Sequence, residues 1–119
     1  MSEPTVIDPQ AIENLRALNP GDNDEFLREI TQIFLEDTPQ RIKELDDSLA
    51  AGDAPKFTRA AHSIKGSSSN LGAVALRAAA EKLEHHSRSQ GLRDVVALLD
   101  AVKHEFSRAQ AELEKLVRR

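Results

Sequence analysis

Residues 60–73 read AAHSIKGSSSNLGA, a stretch that combines good helix formers with an internal glycine, three consecutive serines and a second glycine. Glycine and serine are poor helix formers, so their use inside a helix calls for a reason other than helix propensity. Gly72 stands where a left-handed residue would end the helix, and an alanine-rich helical pattern begins at once at Ala73. The stretch predicts two consecutive helices joined by a tight turn, with a functional feature at His62.

The same helical periodicity extends in both directions, and no run of alternating β-branched or aromatic residues indicates a strand. It predicts five helices, from near Asp8 to Asn19, from Asp22–Asp24 to Ala51, from Asp53 to about Leu71, from about Ala73 to Ser87, and from about Leu92 to Val117. Pro39 lies inside the second, and because the apolar residues resume at Ile42 we expect one kinked, continuous helix. Short connections make consecutive helices antiparallel neighbours. We therefore expect an all-α fold, an antiparallel four-helix bundle with a short additional N-terminal helix packed across one end.

The residues expected in the core of this bundle follow from the spacing of apolar side chains by threes and fours. In the second helix they are Phe26, Ile30, Ile33, Phe34, Ile42, Leu45 and Leu49. In the third helix, at about 100° per residue, they are Phe57, Ala61, Ile64, Ser68 and Leu71. This arrangement places His62 about 140° around the helix from Phe57, on the face directed towards solvent.

Length and composition restrict the class of protein. A chain of 119 residues suits a single domain, residues 1–119, with one core, and the initiating Met1 favours a free-standing protein. There is no cysteine, which excludes disulfides and thiolate chemistry. The first residues lack a signal-peptide pattern and no stretch is long enough to span a bilayer, so we expect a soluble, cytoplasmic protein without membrane partners. The apolar seam of the last helix is fully explained by packing within one bundle, so we expect a monomer. A net charge of −4 with both signs interspersed argues against nucleic acid as a partner.

The neighbours of His62 on its helix indicate a chemistry. Lys65 at i+3 and Gly66 at i+4 share a surface patch with the histidine. The lysine can neutralise an anion attached to the ring nitrogen, and the glycine lets another protein approach closely. Neutral imidazole is a competent phosphoryl acceptor near pH 7. The pattern therefore favours phosphoryl transfer through His62.

The motif resembles that of the histidine-containing phosphotransfer (HPt) domains of two-component phosphorelays. The residues that follow the family pattern in order are His62, Lys65, Gly66, Ser67, Ser68, Ser69, Leu71 and Gly72. The resemblance covers essentially the whole chain and implies a four-helix bundle with the phosphorylatable histidine exposed midway along one helix. It implies that His62 takes the phosphoryl group on Nε2 and that Lys65 stabilises it. The surface where a receiver domain docks would include Thr58, Arg59, Gly66 and Ser69.

One further role is less settled by the resemblance. In many relatives a polar residue on the following helix, often glutamine, holds the other imidazole nitrogen, and counting from the motif gives this role to Glu84. The alternative is a surface ion pair, because Arg88 lies four residues later in the favourable orientation. Both interpretations stay open from the sequence.

The leading hypothesis is a histidine phosphotransfer intermediate. It would accept a phosphoryl group on His62 from a receiver-domain aspartate of a hybrid histidine kinase and pass it to a response-regulator aspartate. The chain has no glycine-rich nucleotide loop and no acidic metal-binding pattern, so we expect a carrier without ATP binding, autokinase activity, cofactor or metal. The partner receiver domain would supply the magnesium.

Two alternatives come from other classes of protein. A small hydrolase with His62 as general base would need a concave pocket, which an exposed histidine on a convex helix does not offer. A purely structural helical adaptor would be indifferent to replacement of His62. The remaining histidines, His85, His86 and His104, lack the i, i+4 spacing that puts two ligands on one metal ion.

Overall fold

Five helices account for nearly all of residues 5–117, the part of the chain that the structure, a computed structural model, describes. They are α1 (Pro9–Leu18), α2 (Glu25–Ala51), α3 (Ala54–Asn70), α4 (Val74–Gln90) and α5 (Val96–Val117). Helices α2 to α5 pack in chain order, and α5 returns against α2, so the four enclose one core. The short α1 packs against α2 and adds Ile12 to that core. The described residues contain no strand, and the expected all-α bundle with an additional N-terminal helix is confirmed.

Acidic caps define where two of the helices begin. The side chain of Asp8 accepts a hydrogen bond from the backbone N–H of Gln10 at 3.0 Å, and Pro9 occupies the first turn of α1. The side chain of Asp53 accepts from the N–H of Lys56 at 3.1 Å at the start of α3. Each cap satisfies a donor that the first turn of a helix leaves unpaired. Both starts agree with the prediction from sequence.

Helix α2 runs without interruption through Pro39, as expected, but its buried face differs from the predicted one. Its buried residues are Leu27, Thr31, Phe34, Thr38, Leu45 and Ser48. Phe34 and Leu45 are buried as predicted, and Ile30, Ile42 and Leu49 pack partly buried against the core. Ile33, also predicted to face the core, is 61% exposed, and Phe26 is only half-buried. The prediction was wrong at these two positions because hydroxyl residues occupy core positions of this helix. At the start of α2 the buried positions are therefore Leu27 and Thr31, each one residue after the apolar residue predicted from the sequence, Phe26 and Ile30.

The connection between α4 and α5 also differs from expectation. Helix α4 continues to Gln90 rather than Ser87, and α5 begins at Val96 rather than Leu92. Gly91 and Asp94 have φ angles of 67° and 55°, in the left-handed region that interrupts a right-handed helix. Leu92 still packs partly buried against the core. Its apolar side chain thus belongs to the core while its backbone belongs to a turn.

The tight turn between α3 and α4 sets the relative position of these two helices. Ala73 N–H donates to the carbonyl of Ser68 at 2.9 Å, and Gly72 has a φ angle of 68°. A Cβ atom on Gly72 would lie 2.4 Å from the Cβ of Ala11, because α1 passes closely over this turn. Glycine is therefore required here both for its conformation and for its lack of a side chain. At about 1.5 Å per residue, positions 62 and 84 lie at similar heights of roughly 15 Å from the turn.

Two polar atoms in the core lack partners within the described part of the chain, the hydroxyl oxygens of Thr31 and Thr38. Both residues lie on the core face of α2 and are almost completely buried. Burying a hydroxyl without a hydrogen bond is destabilising by about 1–3 kcal/mol.

No helix in the described range is long and apolar enough to cross a membrane.

Replacing Thr31 or Thr38 with valine is expected to raise the free energy of unfolding by about 1 kcal/mol, because valine lacks the buried hydroxyl. Denaturant titration of the purified variants measures this change. Thr58→Val is the matched control: Thr58 Oγ1 is paired with Ser87 Oγ at 2.7 Å, so its loss should lower stability. Destabilisation of both core variants would contradict the assignment of unpaired hydroxyls.

Candidate functional site

The exposed face of α3 carries the histidine selected from sequence. The residues predicted to face the core on this helix, Phe57, Ala61, Ile64, Ser68 and Leu71, are all buried. His62 lies outside that stripe, and its side chain is 62% exposed. Its Nδ1 atom lies 2.8 Å from Oε2 of Glu84 on α4. The ring is thus held at one nitrogen and accessible to solvent.

Glu84 is the centre of a group of polar contacts between α3 and α4. Its side chain is 3% exposed and its carboxylate meets three nitrogen donors. Oε2 contacts His62 Nδ1 at 2.8 Å and Arg88 at 2.7 Å, while Oε1 contacts Lys65 Nζ at 2.7 Å. The contact with the imidazole and the ion pair with Arg88, which the sequence presented as alternatives, therefore occur together.

These contacts control the ionisation of Glu84. Burial by itself raises the pKa of the carboxyl group, because desolvation disfavours the charged form. Hydrogen bonds from Lys65 and His62 oppose this effect and outweigh it, so the pKa of Glu84 lies below the ordinary glutamate value. The group is a buried carboxylate anion at neutral pH, stabilised by its donors.

The carboxylate determines which imidazole nitrogen carries the hydrogen in the neutral ring. An ionised carboxylate can only accept hydrogen bonds, so Nδ1 of His62 must be the N–H nitrogen at a separation of 2.8 Å. The neutral ring then has its lone pair on Nε2. A histidine in this tautomer can act as a nucleophile through Nε2 while Nδ1 stays anchored to Glu84.

The other residues predicted from sequence lie around this pair in different ways. Arg59 and Ser69 are exposed, and the position that a Cβ would take on Gly66 is open space. Lys65 is half-buried and extends to Glu84. Thr58 is half-buried, and its hydroxyl bonds to Ser87 rather than projecting freely.

Ser87 is a structural contributor that the sequence interpretation missed. It is buried on α4 one turn after Glu84, and its hydroxyl meets Thr58 Oγ1 at 2.7 Å and the carbonyl of Glu84 at 3.0 Å. Thr58 lies one turn before His62 on α3, and Ser87 lies one turn after Glu84 on α4. Given the contact between His62 and Glu84, this spacing in antiparallel helices indicates the contact between Thr58 and Ser87. This hydroxyl contact supports the α3–α4 packing one turn away from His62.

Metal binding finds no support in the described residues. Within residues 5–117, no three His, Asp or Glu side chains lie together in an arrangement that could hold a metal ion. His86 contacts the backbone carbonyl of Arg93 in the α4–α5 connection, while His85 and His104 are exposed. Within residues 5–117, none of these three histidines forms a hydrogen bond or ion pair with Glu84.

The lowered pKa of Glu84 predicts a dependence of stability on pH. Its contribution is present in full above the pKa of an unfolded glutamate, about 4.3, and is lost as the pH falls from there through the lower folded pKa. Glu84→Gln should remove this acid-dependent loss, as measured by denaturant titrations across the acid range. Glu81→Gln, which removes an exposed carboxylate from the same helix, should keep it. Identical acid profiles for Glu84→Gln and the unaltered protein would contradict this account.

Comparison with known proteins gives one consistent family. The Hpt domain family model matches residues 29–112. Histidine-containing phosphotransfer protein 4 of Arabidopsis thaliana is 26% identical over 110 residues, which cover 91% of this chain and 86% of the relative. Multistep phosphorelay regulator 1 of Schizosaccharomyces pombe is 27% identical over 93 residues, 78% of this chain, but the matched part is 32% of that protein.

A solved structure supports the same relationship. The crystal structure of histidine-containing phosphotransfer protein B (HptB) from Pseudomonas aeruginosa PAO1 superposes with a TM-score of 0.87 and 28% sequence identity. The superposition covers 98% of this chain and 97% of that one. The family model, the curated relatives and the solved structure thus agree on one family. The chain belongs to the Hpt domain family and is a histidine phosphotransfer protein of the multistep phosphorelay type.

Proposed function

We propose that this protein carries a phosphoryl group on Nε2 of His62, accepting it from an aspartyl phosphate of one receiver domain and giving it to the aspartate of another. The observation that supports this assignment most directly is the contact of 2.8 Å between Nδ1 of the exposed imidazole and the buried carboxylate of Glu84. It orients the ring and leaves the lone pair on Nε2. An exposed nucleophile with a defined tautomer suits transfer between two proteins.

In the accepting step, the Nε2 lone pair of His62 attacks phosphorus and forms a P–N bond. The bond from phosphorus to the aspartate oxygen breaks, and the aspartate leaves as a carboxylate with the electron pair. The donating step is the reverse, with the aspartate of the second receiver as nucleophile. We expect each receiver domain to supply the magnesium ion, which this chain would not itself bind.

Positive charge close to the ring favours an anionic group there. Lys65 and Arg88 both lie against Glu84, next to His62, and Arg88 is largely exposed. A transferring phosphoryl group spreads negative charge over its oxygens, so nearby cations stabilise it. Arg59 adds a further exposed cation on α3 three residues before His62. These charges also suit an approaching acidic partner.

A partner has an accessible surface beside the histidine. Gly66 leaves open space one helical turn beyond His62, and Ser69 is exposed one turn further. An apolar groove of about 380 Å³ runs between α1, α2 and α3, with exposed Ile33 on its α2 side and Ser67 on its α3 side. We propose that a receiver domain covers Gly66 and extends over this groove. Exposed apolar residues next to a polar site are a common feature of protein docking surfaces.

A carrier needs no catalytic apparatus of its own beyond the oriented imidazole. The sequence lacks a glycine-rich nucleotide-binding loop, which supports the proposal that the protein neither binds ATP nor phosphorylates itself. The site is on a convex helix rather than in a pocket, which supports a partner-dependent reaction over hydrolysis. The cytoplasmic location and the monomeric state expected from sequence stay predictions.

His62→Gln is expected to abolish acceptance of a phosphoryl group, because glutamine offers no ring nitrogen to attack phosphorus. Helicity should change little, since the side chain is largely exposed, whereas the thermal stability should fall slightly because Glu84 loses one of its three hydrogen-bond donors. The assay is formation of acid-labile phosphate from a receiver charged with acetyl phosphate. His85→Gln is the matched control, an exposed histidine on α4 whose loss should leave labelling intact. Substantial labelling of the His62→Gln protein would contradict the assignment.

The variant Gly66→Gln distinguishes an effect on the docking of a receiver domain from an effect on the reactivity of the His62 ring. The new side chain would enter the open space one turn from His62, so transfer from a receiver should fall at least tenfold, while phosphorylation by the small donor phosphoramidate should continue. The variant should gain about 0.5–1 kcal/mol of stability from the better helix former. Equal loss with both donors would mean that Gly66 acts on the imidazole itself. Unchanged transfer from the receiver would exclude Gly66 from the docking surface.

A further inference from the structure

The nitrogen of His62 that does not react is also the one that faces an anion. When Nε2 forms its bond to phosphorus, the ring becomes positively charged and still carries the hydrogen on Nδ1. In water this hydrogen can dissociate and leave a neutral phosphorylated ring. In this protein the hydrogen lies between Nδ1 and a carboxylate oxygen 2.8 Å away, whose side chain is almost entirely buried.

We infer that Glu84 keeps the Nδ1 hydrogen on the His62 ring for as long as the phosphoryl group is attached, so that the group enters and leaves without any exchange of protons with solvent. This inference rests on the proposed function, because it concerns the phosphorylated state of His62. It assigns to Glu84 a part in the donating step, in addition to orienting the ring.

The balance of charge around the ring supports this role. Within residues 5–117, the charged side chains in contact with the His62–Glu84 pair are Lys65 from α3 and Arg88 from α4. A phosphoryl group adds close to two negative charges on the opposite side of the ring at neutral to alkaline pH. With the hydrogen retained on Nδ1, the ring, Lys65 and Arg88 carry three positive charges, which cancel those of Glu84 and a doubly charged phosphoryl group. Without the hydrogen the cluster carries one net negative charge, which is unfavourable beside a low-dielectric interior.

Retention of the hydrogen matters most when the phosphoryl group leaves. As the P–N bond breaks, its electron pair returns to Nε2. If Nδ1 carries its hydrogen, the ring departs as neutral imidazole, with the tautomer it had before the reaction. If Nδ1 has lost its hydrogen, the ring must depart as an imidazolate anion, a much poorer leaving group. Glu84 would thus keep the phosphohistidine ready to donate, and a glutamine amide at this position would bind the positive ring less strongly than a carboxylate.

The test is a titration of the phosphorylated ring. Protein with ¹⁵N-labelled histidine is phosphorylated with phosphoramidate, and NMR measures the pH at which the Nδ1 hydrogen of phosphorylated His62 is lost. We expect this pH to be higher by about one unit or more, a tenfold effect, in the unaltered protein than in Glu84→Gln. Glu81→Gln, which removes an exposed carboxylate one turn earlier on α4, should titrate like the unaltered protein.

The second test measures how the rate of phosphoryl transfer from His62 depends on pH. Transfer from phosphorylated His62 to a purified receiver domain should be nearly independent of pH between neutral and mildly alkaline solution, whereas Glu84→Gln should lose rate as the pH rises. A role of Glu84 in packing alone would lower the rate equally at every pH and overturn the inference. If the glutamine variant does not fold, the unaltered phosphoprotein is compared with the same phosphoprotein unfolded in urea. Loss of the Nδ1 hydrogen at the same pH in both states would also overturn it.

The outcomes for the inference and for the proposed function are distinguishable. Absence of a phosphoryl group on Nε2 of His62 after treatment with phosphoramidate and with a charged receiver would overturn the proposed function. Phosphorylation at Nε2 with a titration that does not depend on Glu84 would overturn the inference alone.

Discussion

The buried carboxylate of Glu84 is the interaction on which the arrangement of the site depends. Burying an ionised group between two helices is unfavourable unless its oxygens are fully paired, and here His62, Lys65 and Arg88 supply the donors. Two of these donors come from α3 and one from α4, so the same anion joins the helices and orients the imidazole. Removal of any donor would leave part of a buried charge uncompensated, so the contact with Glu84 fixes the orientation of a largely exposed imidazole.

The contact requires that two helices meet in one register. The tight turn at Gly72 joins α3 to α4, and α1 packs closely over it. Because the turn is short, positions 62 and 84 lie at similar distances from it along their helices. Thr58 and Ser87 repeat the contact one turn further along with a hydroxyl pair. The third helix is therefore constrained at the turn, at the site and beyond it. Such support lets an exposed histidine keep one tautomer and one orientation without a surrounding pocket.

The distribution of polar and apolar residues on α2 suits a protein that works through its surface. Thr31, Thr38 and Ser48 occupy buried positions that larger apolar residues usually fill, while Ile33 is exposed beside a groove that reaches α3. The unpaired hydroxyls of Thr31 and Thr38 are destabilising, and the buried apolar residues of the core, among them the completely buried Phe57, offset this effect. In the proposed docking of a receiver domain, exposed Ile33 belongs to the surface that the partner covers.

The sequence by itself determined the number and order of the helices, the core face of α3 and the exposure of His62, because periodicity, caps and glycine stops act over a few residues. It also placed Glu84 as a candidate partner of the imidazole, with Arg88 as its competitor. Only the tertiary structure decided that Glu84 meets both, along with Lys65, since that depends on how α3 and α4 are aligned in space. It likewise decided that hydroxyl residues fill the core face of α2 and that Ile33 is exposed, because burial depends on what the neighbouring helices cover and not on the polarity of one side chain.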